Sequence, residues 1–184
     1  MLRRLKSLFR KDLPDLSYVD PMLLRKTHKG RDWSGQTLTR FVPVGCTFRD
    51  CSFENAMLDS VCFGGGMEDS RYINCSFNRA TITAIAPGHA RFEGCTFIDA
   101  DFTHFLSHTV EFVNCEISGI VRKAFFNGTV PPEYVASLGR KVNEFRGNDF
   151  SGATLVDVVF RTGIELSLQK LPAGWSNPVE EMIS

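Results

Sequence analysis

Large apolar residues recur at every fifth position along most of the chain. A period of five matches neither the 3.6-residue period of an α-helix nor the two-residue period of a β-strand, so the pattern predicts a backbone that turns a corner with every unit. One phase runs from Trp33 to Phe63, and a second begins at Tyr72 after a four-residue slip at Gly64–Gly66. A third run consists of Phe145, Phe150, Leu155 and Phe160.

A longer period of 20 residues is nested inside the short one once the glycine slip is allowed for. The segment C-S-F-E-N-A-M-L from Cys51 recurs as C-S-F-N-R-A-T-I from Cys75 and as C-T-F-I-D-A-D-F from Cys95. Sorting the units by their place in this cycle gives four classes. The fourth class is irregular, because proline or serine stands at its centre and its apolar residue stands two positions earlier, at Phe41, Ile85 and Phe105. The nested period predicts a solenoid whose coil closes every 20 residues.

Stacked coils place like side chains above one another, about 4.8 Å apart, on the inside of a solenoid. The central residue of each unit and the small residue two positions before it are therefore expected to point inward. The predicted core ladder consists of Phe48, Cys51, Phe53, Leu58, Tyr72, Cys75, Phe77, Ile82, Phe92, Cys95, Phe97, Phe102, Phe112, Cys115, Phe145, Phe150 and Leu155. These residues indicate a fold and carry no chemistry.

The units resemble those of the pentapeptide-repeat family, which read A-(D/N)-(L/F)-x-x. Good to fair matches are Ala100-Asp101-Phe102, Cys75-Ser76-Phe77, Asn148-Asp149-Phe150 and Ala153-Thr154-Leu155. The resemblance covers residues 31–117 and 143–162. It implies an all-β solenoid, a right-handed four-sided parallel β-helix, and about six coils are countable in the sequence.

The repeats divide the chain into five segments. Residues 1–30 are predicted to form a basic helical cap or arm, residues 31–117 the main β-helix, residues 118–142 an insertion with a short helix, residues 143–164 a final coil, and residues 165–184 a C-terminal cap or tail. End caps are expected because both ends of a solenoid expose open hydrogen-bonding edges and apolar rings.

Helix signals lie in two of the non-repeat segments. Asp20-Pro21 places an N-cap residue before proline, with Gly30 as a stop, and Pro131-Pro132 and Gly139 bracket the helix of the insertion in the same way. Residues 1–13 alternate leucines with basic side chains, which fits peripheral membrane association, although we favour a short helix that packs its leucines on the solenoid. A membrane-bound state is therefore not expected.

Phe125, Phe126 and Tyr134 belong to the predicted insertion and have two interpretations. In the first, the insertion is a loop that folds its two phenylalanines back onto the solenoid. In the second, it protrudes as an element for recognising a partner, since long insertions on rigid scaffolds often carry binding residues. The sequence leaves both interpretations open.

Charge is segregated along a chain whose 21 basic and 21 acidic side chains cancel. Residues 1–31 carry nine basic and three acidic residues, so residues 32–184 carry an acidic excess of six. Acidic candidates for a binding face in the repeats are Asp50, Glu54, Asp99 and Asp101. Because the zero net charge is a cancellation, it does not exclude a partner that binds through charged side chains. Direct nucleic-acid binding is not expected.

No enzyme, metal or cofactor signature is present in the sequence. A column of cysteines spaced about 4.8 Å apart cannot place four sulfurs around one zinc ion or close disulfides, so cysteine is expected to act as a small apolar residue in the cytoplasm. The four histidines fall at outward or corner positions, and no nucleophile, phosphate-loop or zinc-protease motif occurs. Catalytic residues, metal ligands and cofactors are thus all predicted to be absent.

Two functions are compatible with these observations. The first is a non-enzymatic, rigid scaffold for an unidentified protein partner. The alternative follows from the resemblance, since one quinolone-resistance group of the family mimics acidic duplex DNA and binds DNA gyrase or topoisomerase IV. The acidic excess of six favours mimicry only modestly, and we favour the scaffold. End-to-end or side-by-side oligomers are compatible with either function.

Overall fold

The computed structural model describes residues 23–39 and 41–178. They form an all-β solenoid of about five turns, against the six coils counted from the sequence. Its strands are β1 Thr27–Lys29, β2 Thr37–Leu38, β3 Thr47–Arg49, β4 Met57–Leu58, β5 Ser70–Ile73, β6 Thr81–Thr83, β7 Ala90–Glu93, β8 Thr96–Thr103, β9 Leu106–Ser107, β10 Glu111–Val113, β11 Glu116–Phe126, β12 Phe145–Arg146 and β13 Ala153–Phe160. One helix, α1, spans Pro132–Leu138, and a short 3-10 helix spans Leu166–Leu168.

The strands form two parallel sheets, in which each strand pairs with the equivalent strand one turn away. The first sheet has the order β1-β3-β5-β7-β10-β12, and the second has the order β13-β11-β8-β6-β4-β2 with β9 beside β11. In the first sheet His28, Phe48, Tyr72, Phe92, Phe112 and Phe145 lie in one inward row. Every residue of the sequence-derived ladder except Leu155 is buried.

The inward aromatic rings stack at the spacing of the strands. The ring of Tyr72 lies 4.8 Å from that of Phe48 and 4.7 Å from that of Phe92, measured between centroids. A second stack runs through Phe53 and Phe77 at 4.7 Å with an interplanar angle of 2°. Each such contact contributes roughly 0.5–1.5 kcal/mol beyond the burial of apolar area, so the stacks favour one register of the coils.

Corners of the coil are built by residues with positive φ. Asp50, Asn74 and Asn114 all have φ of 52°, and the amide of each donates to a carbonyl one turn further along the solenoid. Asparagine and aspartate tolerate this left-handed conformation better than other side chains apart from glycine, because their short polar groups bond locally. The corners therefore recur in columns, as the rings do.

The solenoid begins earlier than the sequence pattern indicated. Residues Thr27–Lys29 form strand β1 and pair with β3, so the predicted helix does not extend to Gly30. His28 fills the inward position, is 5% exposed, and stacks on Phe48 at 5.0 Å. Because histidine is not apolar, the five-residue pattern of apolar residues does not show this turn. Residues 1–22, including the proposed membrane segment 1–13, lie outside the described residues.

The predicted insertion at residues 118–142 begins too early. Residues Glu116–Phe126 form β11, which pairs with β8 and β13, so regular structure continues to Phe126. The register shifts between Ile117 and Gly119, and Phe102 then pairs with Val121. One residue is thus missing from the repeat at this bulge, and the five-residue rhythm loses its phase although the fold continues.

The last turn ends on a cap of mixed structure. Trp175 packs edge-to-face on Phe160 at 5.5 Å, and the amide of Gly147 donates to the carbonyl of Leu168. Leu155 is only half-buried, because its strand β13 has a neighbour on one side only. Within residues 23–39 and 41–178, no helix is long and apolar enough to cross a membrane.

The glycine slip produces a close contact between two turns. Gly64 pairs with Gly88 in a parallel bridge, and a Cβ on Gly88 would lie 2.1 Å from the carbonyl oxygen of Gly64. Phe63, directly before the slip, lies in the core, where its ring is 5.2 Å from that of Phe92. Ile85, expected to point inward, is instead 62% exposed.

Replacing Gly88 by alanine is expected to destabilise the protein more than the same change at Gly139. Both glycines have positive φ, which costs an alanine about 1–2 kcal/mol, but a Cβ at Gly139 meets nothing within 4 Å. We expect Gly88→Ala to lower the free energy of unfolding by about 3 kcal/mol or more, and Gly139→Ala by about 1 kcal/mol. Equal losses in urea unfolding would contradict the close contact.

Candidate functional site at the insertion

The true interruption of the solenoid comprises residues 127–144, which we call the insertion. It contains α1, which begins with proline. The helix ends at Gly139, which has the left-handed conformation and whose backbone amide donates to the carbonyl of Val135. The predicted short helix is therefore present. None of its seven residues is buried. A helix this short is not stable alone, so its position depends on the contacts that flank it.

Arg140 fixes the end of α1 to the solenoid. Its guanidinium forms an ion pair with Asp69, lies 3.4 Å from Glu111, and donates to the backbone carbonyl of Thr109 at 2.8 Å. The side chains of Arg140 and Glu111 are only 16% and 8% exposed. Removing one partner of an ion pair shielded in this way costs more stability than breaking a surface pair, because the other charge is left without compensation.

A second arginine holds the last residue of the insertion. Arg91 donates to Glu111 at 3.2 Å and to Glu144 at 2.7 Å. The hydrogen bond from Arg91 is the main reason that the pKa of the Glu144 carboxyl lies below its usual value. Glu111 thus lies between Arg91 and Arg140, and the three side chains form one network with Asp69 and Glu144.

Asn143 closes the base of the insertion. It is 3% exposed, and its side-chain amide donates to the carbonyls of His108 and Asn127, both at 2.9 Å. Its backbone amide donates to the carbonyl of Gly128 at 2.8 Å. The two ends of the insertion are consequently tied to each other and to the turn that contains His108.

A cleft of about 430 Å³ lies between the insertion and the irregular side of the solenoid. Its floor includes the backbone of Gly64–Gly66, and Tyr134 of α1 contributes one wall. The Tyr134 ring meets the ring of His89 edge-to-face at 5.0 Å. The remaining lining residues are Cys62, Ile85, Ala86, Pro87, Gly88, Leu106, His108 and Thr109.

Three side chains of the cleft have pKa values shifted toward their neutral forms. Burial is the main cause that lowers the pKa of His89 and of His108 and raises the pKa of the Cys62 thiol. A protonated thiol is not an activated nucleophile, so Cys62 does not suit covalent catalysis. Across the part of the chain that the structure describes, no group of three His, Cys, Asp or Glu side chains could hold a metal ion.

The sequence-derived partner residues of the insertion occupy three different environments. The prediction that Phe126 contacts a partner is wrong, because its side chain is only 2% exposed and its ring stacks on that of Phe160 at 5.3 Å. Phe125 is half-buried beneath Arg161, whose guanidinium carbon lies 3.8 Å from the ring centroid. Tyr134 is half-buried and faces the cleft. The two phenylalanines lie at the end of β11 and pack on the solenoid, whereas Tyr134 belongs to the insertion.

The sequence-derived acidic residues do not gather into one unpaired face. Asp50 and Asp99 are exposed corner residues with positive φ. Glu54 is paired with Arg79 at 3.0 Å, and Asp101 is paired with Arg122 at 2.8 Å. Basic side chains therefore lie between the acidic ones, which lowers the negative potential that this surface can present.

The residues of the cleft and of the ion-pair network were not identified from the sequence. Arg140, Asn143 and Thr109 come together only through contacts between turns distant in sequence. The available signal was the irregular fourth class of units together with the glycine slip, since both mark the side of the coil where the cleft lies. The sequence predicts an outward or corner position for His89, but its side chain is only 6% exposed.

The chain is similar to two solved structures of trypsin-treated variants of QnrB1, a plasmid-mediated fluoroquinolone resistance protein. The first has 14% sequence identity, covers 78% of this chain and 79% of that chain, and gives a TM-score of 0.32. The second has 16% identity, covers 79% of each chain, and gives a TM-score of 0.26. No protein-family model and no curated protein matches the chain. TM-scores this low do not establish a shared fold, so the fold rests on this chain's own strand register.

Proposed function

We propose that this chain is a non-enzymatic scaffold of the pentapeptide-repeat type, a right-handed four-sided β-helix that presents the insertion to a protein partner. The observation that carries the proposal is a helix that buries none of its residues and yet is fixed at its base by Arg140, Arg91 and Asn143. A segment that adds nothing to the core but is held in place suits recognition of another molecule.

Rigidity is the property that makes such a scaffold effective. Binding is stronger when the recognition element is already ordered, because less conformational entropy is lost on association. The aromatic stacks fix the turns, and the ion-pair network fixes the insertion to three of them through Asp69, Arg91 and Glu111. The chemistry of the cleft adds no catalytic group to this function.

A reducing compartment suits this scaffold. All six cysteines are free, and five of them are buried. Four of the buried thiols, Cys51, Cys75, Cys95 and Cys115, occupy one inward column, as the repeats predict. Free thiols in such numbers are typical of proteins kept in the cytoplasm, and we place the protein there.

DNA mimicry remains the alternative function, and it rests on the family resemblance and on the acidic excess of residues 32–184. A mimic must present a continuous negative face to a DNA-binding surface. The pairs Glu54–Arg79 and Asp101–Arg122 place positive charge within the acidic surface. These pairs favour the scaffold over mimicry.

Replacing Arg140 by glutamine is expected to loosen the insertion while the solenoid stays folded. The change leaves the carboxylate of Asp69 without its cation and leaves Glu111 with Arg91 as its one remaining cation. We expect amide hydrogen exchange in residues 127–144 to accelerate about tenfold or more. The control is Arg146→Gln, because Arg146 is 52% exposed and its pair with Glu144 contributes little. Unchanged exchange in Arg140→Gln would refute the role given to this arginine.

A surface variant of the insertion is expected to lose the partner. We suggest Glu133→Lys, Ala136→Arg and Val142→Asp together, since all three residues are exposed and none belongs to the ion-pair network. Quantitative affinity capture should recover the partner about tenfold less well with this variant than with the natural chain. The matched control, Asp50→Asn with Asp99→Asn, should retain it. A partner that survives the insertion variant, or the recovery of no specific partner, would overturn the scaffold proposal.

The full chain at micromolar concentration is expected to leave DNA gyrase supercoiling and quinolone-stabilised cleavage unchanged. The reason is the interruption of the acidic surface by Arg79 and Arg122. Both activities are measured on plasmid DNA with the natural chain and with the Asp50→Asn, Asp99→Asn variant. Inhibition or protection that the variant loses would establish mimicry in place of the scaffold.

A further inference from the structure

The cleft beside α1 combines a buried polar group with an apolar rim that the fold does not explain. Ile85 is 62% exposed at the rim, while His89 is 6% exposed within it. Ile85 does not belong to the buried core, and no ion pair or side-chain hydrogen bond is made by His89 among the described residues except the one to Thr109. A cleft of about 430 Å³ falls in the size range of small-molecule sites.

The hydrogen bonds around His89 determine which of its nitrogens carries the proton. The hydroxyl of Thr109 donates to the carbonyl oxygen of Gly88 at 2.9 Å. Its oxygen lies 2.8 Å from Nδ1 of His89 and can only accept there, because the single hydroxyl proton is already used. Nδ1 is therefore protonated. Burial lowers the pKa of His89, so the ring is neutral and Nε2 keeps a lone pair.

Nε2 of His89 is thus an acceptor without a donor among the described residues. His89 lines the cleft, and Nε2 is not among the enclosed side-chain atoms without a partner in the described residues, so it is open to solvent. A hydrogen-bond donor on a ligand would satisfy it. An acceptor fixed in this way discriminates between ligands that carry a donor and ligands of the same shape that lack one.

The rest of the lining restricts the ligand further. No lysine, arginine, aspartate or glutamate lines the cleft, and the thiol of Cys62 is protonated, so neither an anion nor a cation is compensated there. Tyr134, Pro87, Leu106 and Ile85 offer aromatic and aliphatic surface. Such a lining favours a flat, uncharged ring, which packs edge or face against aromatic side chains.

We propose that the cleft binds a small, uncharged aromatic molecule with one hydrogen-bond donor, of the phenol or indole class. The donor bonds to Nε2 of His89, and the ring lies against Tyr134 and the apolar rim at Ile85. Thr109 is a positioning residue, because it holds His89 in the tautomer that accepts. This site goes beyond the proposed scaffold function and does not depend on it.

The first test compares two probes of nearly the same shape on the full chain. p-Cresol carries a phenolic donor and toluene does not, and both are titrated while amide NMR shifts are followed. We expect p-cresol to bind about tenfold more tightly than toluene, with shifts centred on His89, Tyr134 and Gly64–Gly66. Equal affinities, or no binding of either probe at millimolar concentration, would overturn the proposal.

Two variants separate the acceptor from the shape of the cleft. Thr109→Val should remove the preference for p-cresol while toluene binding persists, and the ¹⁵N spectrum of His89 should show loss of the Nδ1–H tautomer seen in the natural chain. Ala86→Trp changes an exposed lining residue and should block both probes. A natural chain with the proton on Nε2, or a Thr109→Val variant with the preference intact, contradicts the proposal. If Thr109→Val does not fold, the proposal is still tested by the His89 tautomer in the natural chain and by the binding of both probes to Ala86→Trp.

Acid is expected to abolish the preference for p-cresol. Protonated His89 carries N–H on both nitrogens and cannot accept, so the preference is present at neutral pH and disappears as the pH falls through a pKa below the ordinary value of 6.5. The charged groups that act on His89 are Asp69 and Arg140, which are paired with each other. His108 also titrates in the cleft, near Arg161 and Glu133, and His108→Asn serves as the control. A preference that persists under acid, or that vanishes only through His108, refutes the assignment to His89.

Discussion

The stacking of inward aromatic rings at the spacing of a parallel sheet is the contact on which the rest of the molecule depends. All six strands of the first sheet are only two to four residues long, which is too short to specify a register through backbone hydrogen bonds alone. Rings 4.7–5.0 Å apart, such as those of Tyr72, Phe92 and Phe112, supply that register, because a slipped coil would lose its stack. The positions of the corners, the pairing of the strands and the placement of the surface residues all follow from this alignment.

Inward residues were predicted correctly from the sequence where their spacing alone gives their position in the coil. Tyr72 and Phe92 could be placed inward from spacing alone, since every turn around them repeats the same geometry. Prediction from spacing failed at His28, which occupies a ring position with a residue of another class, and at Gly119, where one missing residue shifts the phase. It also failed at Ile85, which is 62% exposed while the neighbouring Ala84 is fully buried.

The functional features lie on the side of the coil that the stacks constrain least. Proline, serine and extra glycines replace the regular units there, so neighbouring turns can separate or approach without loss of a ring contact. The insertion is attached on this side, and the cleft opens beside it. Its chemistry could not be read from the sequence, since the protonation of His89 depends on the hydroxyl of Thr109, 20 residues away, which bonds to the carbonyl of the neighbouring Gly88. The sequence therefore shows which side of the coil is irregular, but it does not show which contacts form there.

The ion pair between Arg140 and Asp69 joins residues 71 positions apart in the chain. In a simple solenoid each turn touches only its neighbours, so unfolding can begin at either end and proceed one turn at a time. A connection that reaches back across intervening turns removes this independence. Opening a turn between Asp69 and Arg140 then also strains this ion pair, so the turns in the middle of the molecule are coupled beyond their nearest neighbours.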